Sequence, residues 1–182
     1  MHKIVVSAIG KDRPGIVSKV TGVLYRHHAS IEDSSMTILE GNFTMIMIVA
    51  IPEKAGILSF QKDFKTLQQK LRLIISIQEP KVKPQIGPFT HNGKPYILSV
   101  LGGDKPGIVH GVAKLLARRR INITDLNTKV IGREDTKNVY AMVLEVEVPA
   151  SVKEAEVSKE LASLGEKLKV DVTFRPIESL NL

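Results

Sequence analysis

Apolar positions along the chain change period again and again, and the changes outline a sequence of elements. Lys3 to Ile9 is a short, β-branched apolar run that predicts a buried strand. Ile16, Val17, Val20, Val23 and Leu24 then recur at three and four, the spacing of an amphipathic helix. Ser34, Met36 and Ile38 alternate, as a half-buried strand does. Glu40-Gly41-Asn42 reads as a hairpin tip, and Phe43 to Ala50 as the returning strand, closed by Pro52. Phe60, Phe64, Leu67 and Leu71 give a second amphipathic helix. Leu73, Ile75 and Ile77 give a last strand, so the predicted order is βαββαβ.

The same order is written twice. Asp12-Arg13-Pro14-Gly15-Ile16-Val17 returns as Asp104-Lys105-Pro106-Gly107-Ile108-Val109, 92 positions on. At that shift Ser7 meets Ser99, Val20 meets Val112, Leu24 meets Leu116, and Ile31 meets Ile123. By Pro52 and Pro149 the shift has become 97, so five residues have been inserted. They fall within Gly132 to Asn138, which predicts an enlarged polar loop at a hairpin tip. Tyr96 to Leu101 repeats the first strand, and Val170, Val172 and Phe174 the last. The expected fold is α+β: two ferredoxin-like units, each a four-stranded antiparallel sheet with two helices on one face. Their expected bounds are residues 1–80 and 95–182. The proline-rich stretch 81–94 is a semi-rigid linker between them.

Composition narrows the chemistry. The 182 residues include no cysteine, which excludes disulfides, thiolate metal sites and a cysteine nucleophile. The five histidines include the adjacent pair His27 and His28, which cannot face one ion from a regular helix, and no metal site is assigned. No phosphate-binding glycine loop, nucleophile elbow or nucleophile–base pair is visible, and an enzyme is not expected. The longest apolar run, Met45 to Ile51, is too short to cross a bilayer, and the N-terminus lacks a signal-peptide core. The expectation is a cytoplasmic protein without membrane contact or cofactor. Net charge is +7, from 26 Lys and Arg against 19 Asp and Glu. The lysines are scattered. The dense cluster Arg118-Arg119-Arg120 ends a helix, where positive charge complements the helix dipole.

The Asp-x-Pro-Gly turn, between strand and helix in each repeat, is the sharpest candidate for function. Glycine there permits close backbone approach, and the following helix offers unpaired N–H groups to an anion such as a carboxylate. The aspartate either receives an ammonium group or caps the helix. The alternative is that the turn merely joins two elements.

The two turns, together with Ala29-Ser30-Ile31 and Ile121-Asn122-Ile123 after the first helix of each repeat, resemble the ACT domain family. The doubled arrangement is similar to the glycine cleavage system transcriptional repressor family. The resemblance implies regulatory binding of a small amino acid, such as glycine or serine, at interfaces between paired domains. It implies ligand-binding positions at Asp12, Pro14, Gly15, Ile16 and Ser30, and at Asp104, Pro106, Gly107, Ile108 and Asn122. Ser30 departs from the asparagine usual at its place. The expected output is control of a transcription factor or metabolic enzyme, and a homodimer is expected on separate grounds, because each sheet leaves one face and an edge strand uncovered. Two other classes are weighed. A ferredoxin-like sheet can bind RNA, but base stacking needs sheet aromatics, and only 4% of residues are aromatic. Direct nucleic-acid binding is therefore not expected. A ligand-independent protein-interaction module is the remaining alternative.

Overall fold

The computed structural model describes residues 2–52, 57–79, 93–134 and 137–177. It consists of two compact units, Met1–Gln85 and Ile86–Leu182. Unit 1 runs β1 (His2–Lys11), α1 (Ile16–Arg26), β2 (Ser30–Leu39), β3 (Asn42–Ile51), α2 (Ile57–Leu71) and β4 (Ile74–Gln78). Unit 2 repeats the order as β5 (Lys94–Gly103), α3 (Ile108–Arg118), β6 (Asn122–Glu134), β7 (Lys137–Val148), α4 (Glu154–Leu168) and β8 (Val170–Pro176). Each sheet is antiparallel, with spatial order β2-β3-β1-β4 and β6-β7-β5-β8. Of the expected linker, only Gly93 and Lys94 lie among the described residues, and Lys94 already opens β5.

Alternation decides which side of each sheet is covered. Ile4, Val6 and Ala8 on β1 and Phe43, Met45, Met47 and Val49 on β3 point to one face. There they meet Ile16, Val20, Val23 and Leu24 of α1 and Phe60 and Phe64 of α2. Leu98, Val100, Met142, Leu144 and Val146 do the same in unit 2, against Ile108, Val112, Leu116, Val157 and Leu161. Phe60 and Phe64, one turn apart, hold ring centroids 4.8 Å from each other inside the first core.

Three expectations are corrected. The first strands are half-buried rather than buried, because the opposite sheet face carries no helix: Ile9 is 46% exposed and Leu101 44%. The strand with Ser34, Met36 and Ile38 is exposed along its length. Cross-strand pairing turns Met36 toward Met45 and Ile38 toward Phe43, on the helical side. But β2 is an edge strand beyond the helices' reach, so alternation there does not produce burial. The five inserted residues do not simply enlarge a loop. They lengthen the hairpin: Gly132 pairs with Val139, Arg133 with Asn138 and Glu134 with Lys137, making β6 13 residues long against 10 for β2. The unextended tip in unit 1 turns tightly through Glu40 and Gly41, both at positive φ, as a two-residue hairpin requires.

Candidate ligand-binding turns

Each Asp-x-Pro-Gly turn is pinned at its start and left open at its end. The Asp12 amide donates to the Gly41 carbonyl at 2.8 Å, and the Asp104 amide to Asn138 at 2.9 Å, fastening each turn to the neighbouring hairpin. Arg13 adds a guanidinium bond to the Leu71 carbonyl, at the end of α2. Gly15 and Gly107 then adopt φ of 89° and 99° and form the N-caps of α1 and α3. A Cβ built on either meets nothing within 4 Å. Glycine is thus needed for its left-handed backbone, and the crowding expected from close approach is absent. The prolines stand one place ahead of the cap, exposed, and not in the first helical turn.

The first helical hydrogen bonds run from Lys19 N to Gly15 O at 3.0 Å and from Gly111 N to Gly107 O at 2.8 Å. The amides of Ile16, Val17 and Ser18, and of Ile108, Val109 and His110, precede them and have no carbonyl partner within the helix. No side chain caps α1 or α3, so the reading of Asp12 and Asp104 as helix caps is overturned. Neither carboxylate bonds to another described residue. The Ile16 and Ile108 side chains are buried at 2% exposure each. What those two positions can offer a ligand is therefore the backbone amide alone.

Ser30 and Asn122 lie elsewhere. Ser30 opens β2 and pairs with Ala50, which pairs in turn with Lys3. Asn122 opens β6 and pairs with Glu147, opposite Pro95. Lys3 and Pro95 stand eight places before Lys11 and Gly103, the last strand residues ahead of the turns. Eight residues of strand span about 26 Å. Within a unit, then, the structure gathers Asp12 to Ile16, or Asp104 to Ile108, and leaves Ser30 or Asn122 at the far end of the sheet. The simple picture of Asn122 completing the Asp104 site of its own unit fails on this distance.

The arginine cluster also does more than complement a dipole. Arg119, the C-cap of α3, bonds to Glu160 and, at 3.1 Å, to Glu156, tying α3 to α4. The bond from Arg119 holds the Glu160 carboxyl below its ordinary range, and that same bond raises the Arg119 guanidinium. The i, i+4 spacing of Glu156 and Glu160 was the legible signal for it. In unit 1 His27 takes the same place, with Nε2 3.1 Å from Asp63 and its ring edge-on to Phe60. Among the described residues no group of three or more His, Asp or Glu could hold a metal ion, and no helix is long and apolar enough to cross a membrane.

Paired βαββαβ units with such turns define a class, and sequence comparison identifies it. The ACT domain family profile matches residues 2–78 and 94–175, and the chain belongs to that family. Its two units are tandem ACT domains, typically ligand-binding regulatory modules. A UPF0237 protein of Methanocaldococcus jannaschii is 35% identical over 83 residues, 45% of this chain and 92% of that protein. A UPF0237 protein of Methanopyrus kandleri is 49% identical over 53 residues, 29% of this chain and 59% of that protein. Among solved structures, one described as an unknown protein from Galdieria sulphuraria is 30% identical with a TM-score of 0.80, covering 97% of this chain and 99% of that one. A candidate glycine cleavage system transcriptional repressor is 21% identical with a TM-score of 0.71, covering 98% of both chains, a likeness of fold.

Proposed function

We propose that the chain is a non-enzymatic regulatory protein that senses a small amino acid, such as glycine or serine, and thereby modulates a transcription factor or a metabolic enzyme. The observation that carries this reading is the pair of matched left-handed glycine caps, Gly15 and Gly107, each ahead of helical amides without an internal partner. A zwitterion suits such a place. Its carboxylate takes the amides at Gly107 and Ile108, and its ammonium meets the Asp104 carboxylate. Asp12, Gly15 and Ile16 offer the same set in unit 1. Pro14 and Pro106 fix the entry of the chain into each cap.

Because Asn122 lies about 26 Å along the sheet from the turn of its own unit, a ligand touching both draws them from two copies of the chain. Ser30 would serve in the same way with one hydroxyl, where Asn122 offers both a donor and an acceptor. A homodimer is favoured by the uncovered sheet face of unit 1. There Ile9 pairs with Ile74, which is 70% exposed, and Ile46 sits on the adjoining strand at 48%. The ligand acts by binding one arrangement of copies more tightly than another.

Calorimetry with glycine and serine tests the reading, on the wild type and on Asp104→Ala and Gly107→Val. Loss of the charge-assisted bond to Asp104 should weaken binding about ten- to a hundredfold, and the Gly107 variant should bind nothing measurable. Equal affinity in all three, or no affinity in the wild type for any proteinogenic amino acid, would refute it.

A further inference from the structure

The four helices with the residues that close them, 16–28, 57–72, 108–120 and 154–169, carry thirteen Lys and Arg against five Asp and Glu. That surplus of eight exceeds the chain's net +7, so the helical layers account for all of the net positive charge. Much of it is gathered in one place per unit, a groove between the two helices on their solvent side. The groove encloses about 790 Å³ between α3 and α4 and about 450 Å³ between α1 and α2.

The two grooves keep one inventory although the repeats have diverged. Arg26 corresponds to Arg118, Asp63 to Glu160, Thr66 to Ser163, Leu67 to Leu164 and Lys70 to Lys167, and all of them line the grooves. Other exposed positions of the same helices have changed character: Tyr25 stands against Ala117, Leu58 against Ala155 and Lys65 against Ala162. One further pair has traded places. Lys19 and Gly22 line the first groove, Gly111 and Lys114 the second, so each keeps one lysine and one glycine a helical turn apart, in opposite order.

Packing does not demand these glycines. A Cβ at Gly22 would meet nothing within 4 Å, and one at Gly111 would make ordinary contact with Leu168 at 3.4 Å. Glycine inside a helix costs roughly 0.5–1 kcal/mol relative to alanine. Both units accept that cost, and the result is an open floor beside Leu67 or Leu164 under cationic rims.

We propose that this groove, foremost that of unit 2, docks an acidic amphipathic helix of a partner protein. Its leucines would lie on the floor at Gly111 and Leu164, and its carboxylates would meet Lys114, Arg118 and Lys167. Charge complementarity sets the sign of the partner. The groove's form sets its class: among the described residues the only buried side chain with a polar group is Tyr96, whose hydroxyl is taken up by Glu154 away from the groove, so no enclosed set of donors converges on a small anion. No aromatic lines the groove to stack a base, which disfavours a single-stranded nucleic acid. The site lies wholly within one unit and shares no residue with the glycine caps, so it stands or falls apart from amino-acid binding.

Fluorescence anisotropy on the full chain tests it with a labelled peptide of about 16 residues, some four helical turns, carrying leucines at intervals of three and four between glutamates. The scrambled peptide and a labelled single-stranded DNA of similar length serve as comparison arms. The ordered peptide should bind saturably and more tightly than either. Arg118→Glu with Lys167→Glu should weaken it at least about tenfold, and Gly111→Leu should weaken it comparably while leaving the circular dichroism spectrum intact and not lowering Tm. Lys129→Glu, on the sheet side of the same unit, should change nothing. Absence of binding, equal binding of the scrambled peptide, tighter binding of DNA, or indifference to the groove variants would overturn the proposal.

Discussion

Alanine placed at four glycines separates backbone strain from helix propensity within one protein. Gly15 and Gly107 sit at φ of 89° and 99°, where an L side chain brings its Cβ against the following carbonyl oxygen. Nothing else crowds either position, since an added Cβ meets no atom within 4 Å. The penalty for Gly15→Ala or Gly107→Ala is therefore that of the left-handed conformation alone, about 1–2 kcal/mol. Gly22 and Gly111 have helical backbones, and their added Cβ atoms find open space or ordinary contact. Alanine there removes conformational freedom from the unfolded chain and raises helix propensity, a gain of about 0.5–1 kcal/mol. Urea unfolding followed by circular dichroism reads both signs. With a slope of about 1 kcal/mol/M for a unit of this size, the cap variants should lose roughly 1–2 M in midpoint and the mid-helix variants gain about 0.5–1 M. A Gly107→Ala protein as stable as the wild type would refute the strain argument, and a destabilised Gly22→Ala would refute the claim that packing does not need that glycine.

Two further predictions concern unit 2. Because Arg119 holds the Glu160 carboxyl below its ordinary range, that pair contributes stability above the usual carboxylate pKa and loses it as pH falls through the lowered value. Glu160→Gln should thus flatten the acid limb of the stability–pH curve, and an unchanged limb would count against the clamp. Tyr96, buried and stacked on Phe174 at 4.6 Å, donates its hydroxyl to Glu154 at 2.7 Å, a bond that raises its pKa. Tyr96→Phe should cost about 1 kcal/mol in urea titration while leaving the ring packing intact, and no loss would show the bond to be energetically neutral.

Period and repetition in the sequence determined the element order, the doubling and the face of each helix that enters the core. Those features depend on neighbours along the chain, and Ile16, Val20, Val23 and Leu24 spell out a helical face without any knowledge of what covers it. The cap glycines were legible for the same reason. Tertiary structure decided the rest. Met36 and Ile38 alternate as a half-buried strand would, yet stay exposed, because burial depends on how far a helix reaches across the sheet. Asp104 and Asn122 are 18 residues apart in the chain and belong to one family pattern. An intervening helix nevertheless carries the chain from one end of the sheet to the other and separates them. The grooves were invisible for a related reason. Lys19 with Gly22 and Gly111 with Lys114 look like mismatches when the repeats are aligned position by position. They become equivalent only once a helical turn places the two residues of each pair on one wall, facing Lys70 or Lys167 from the second helix.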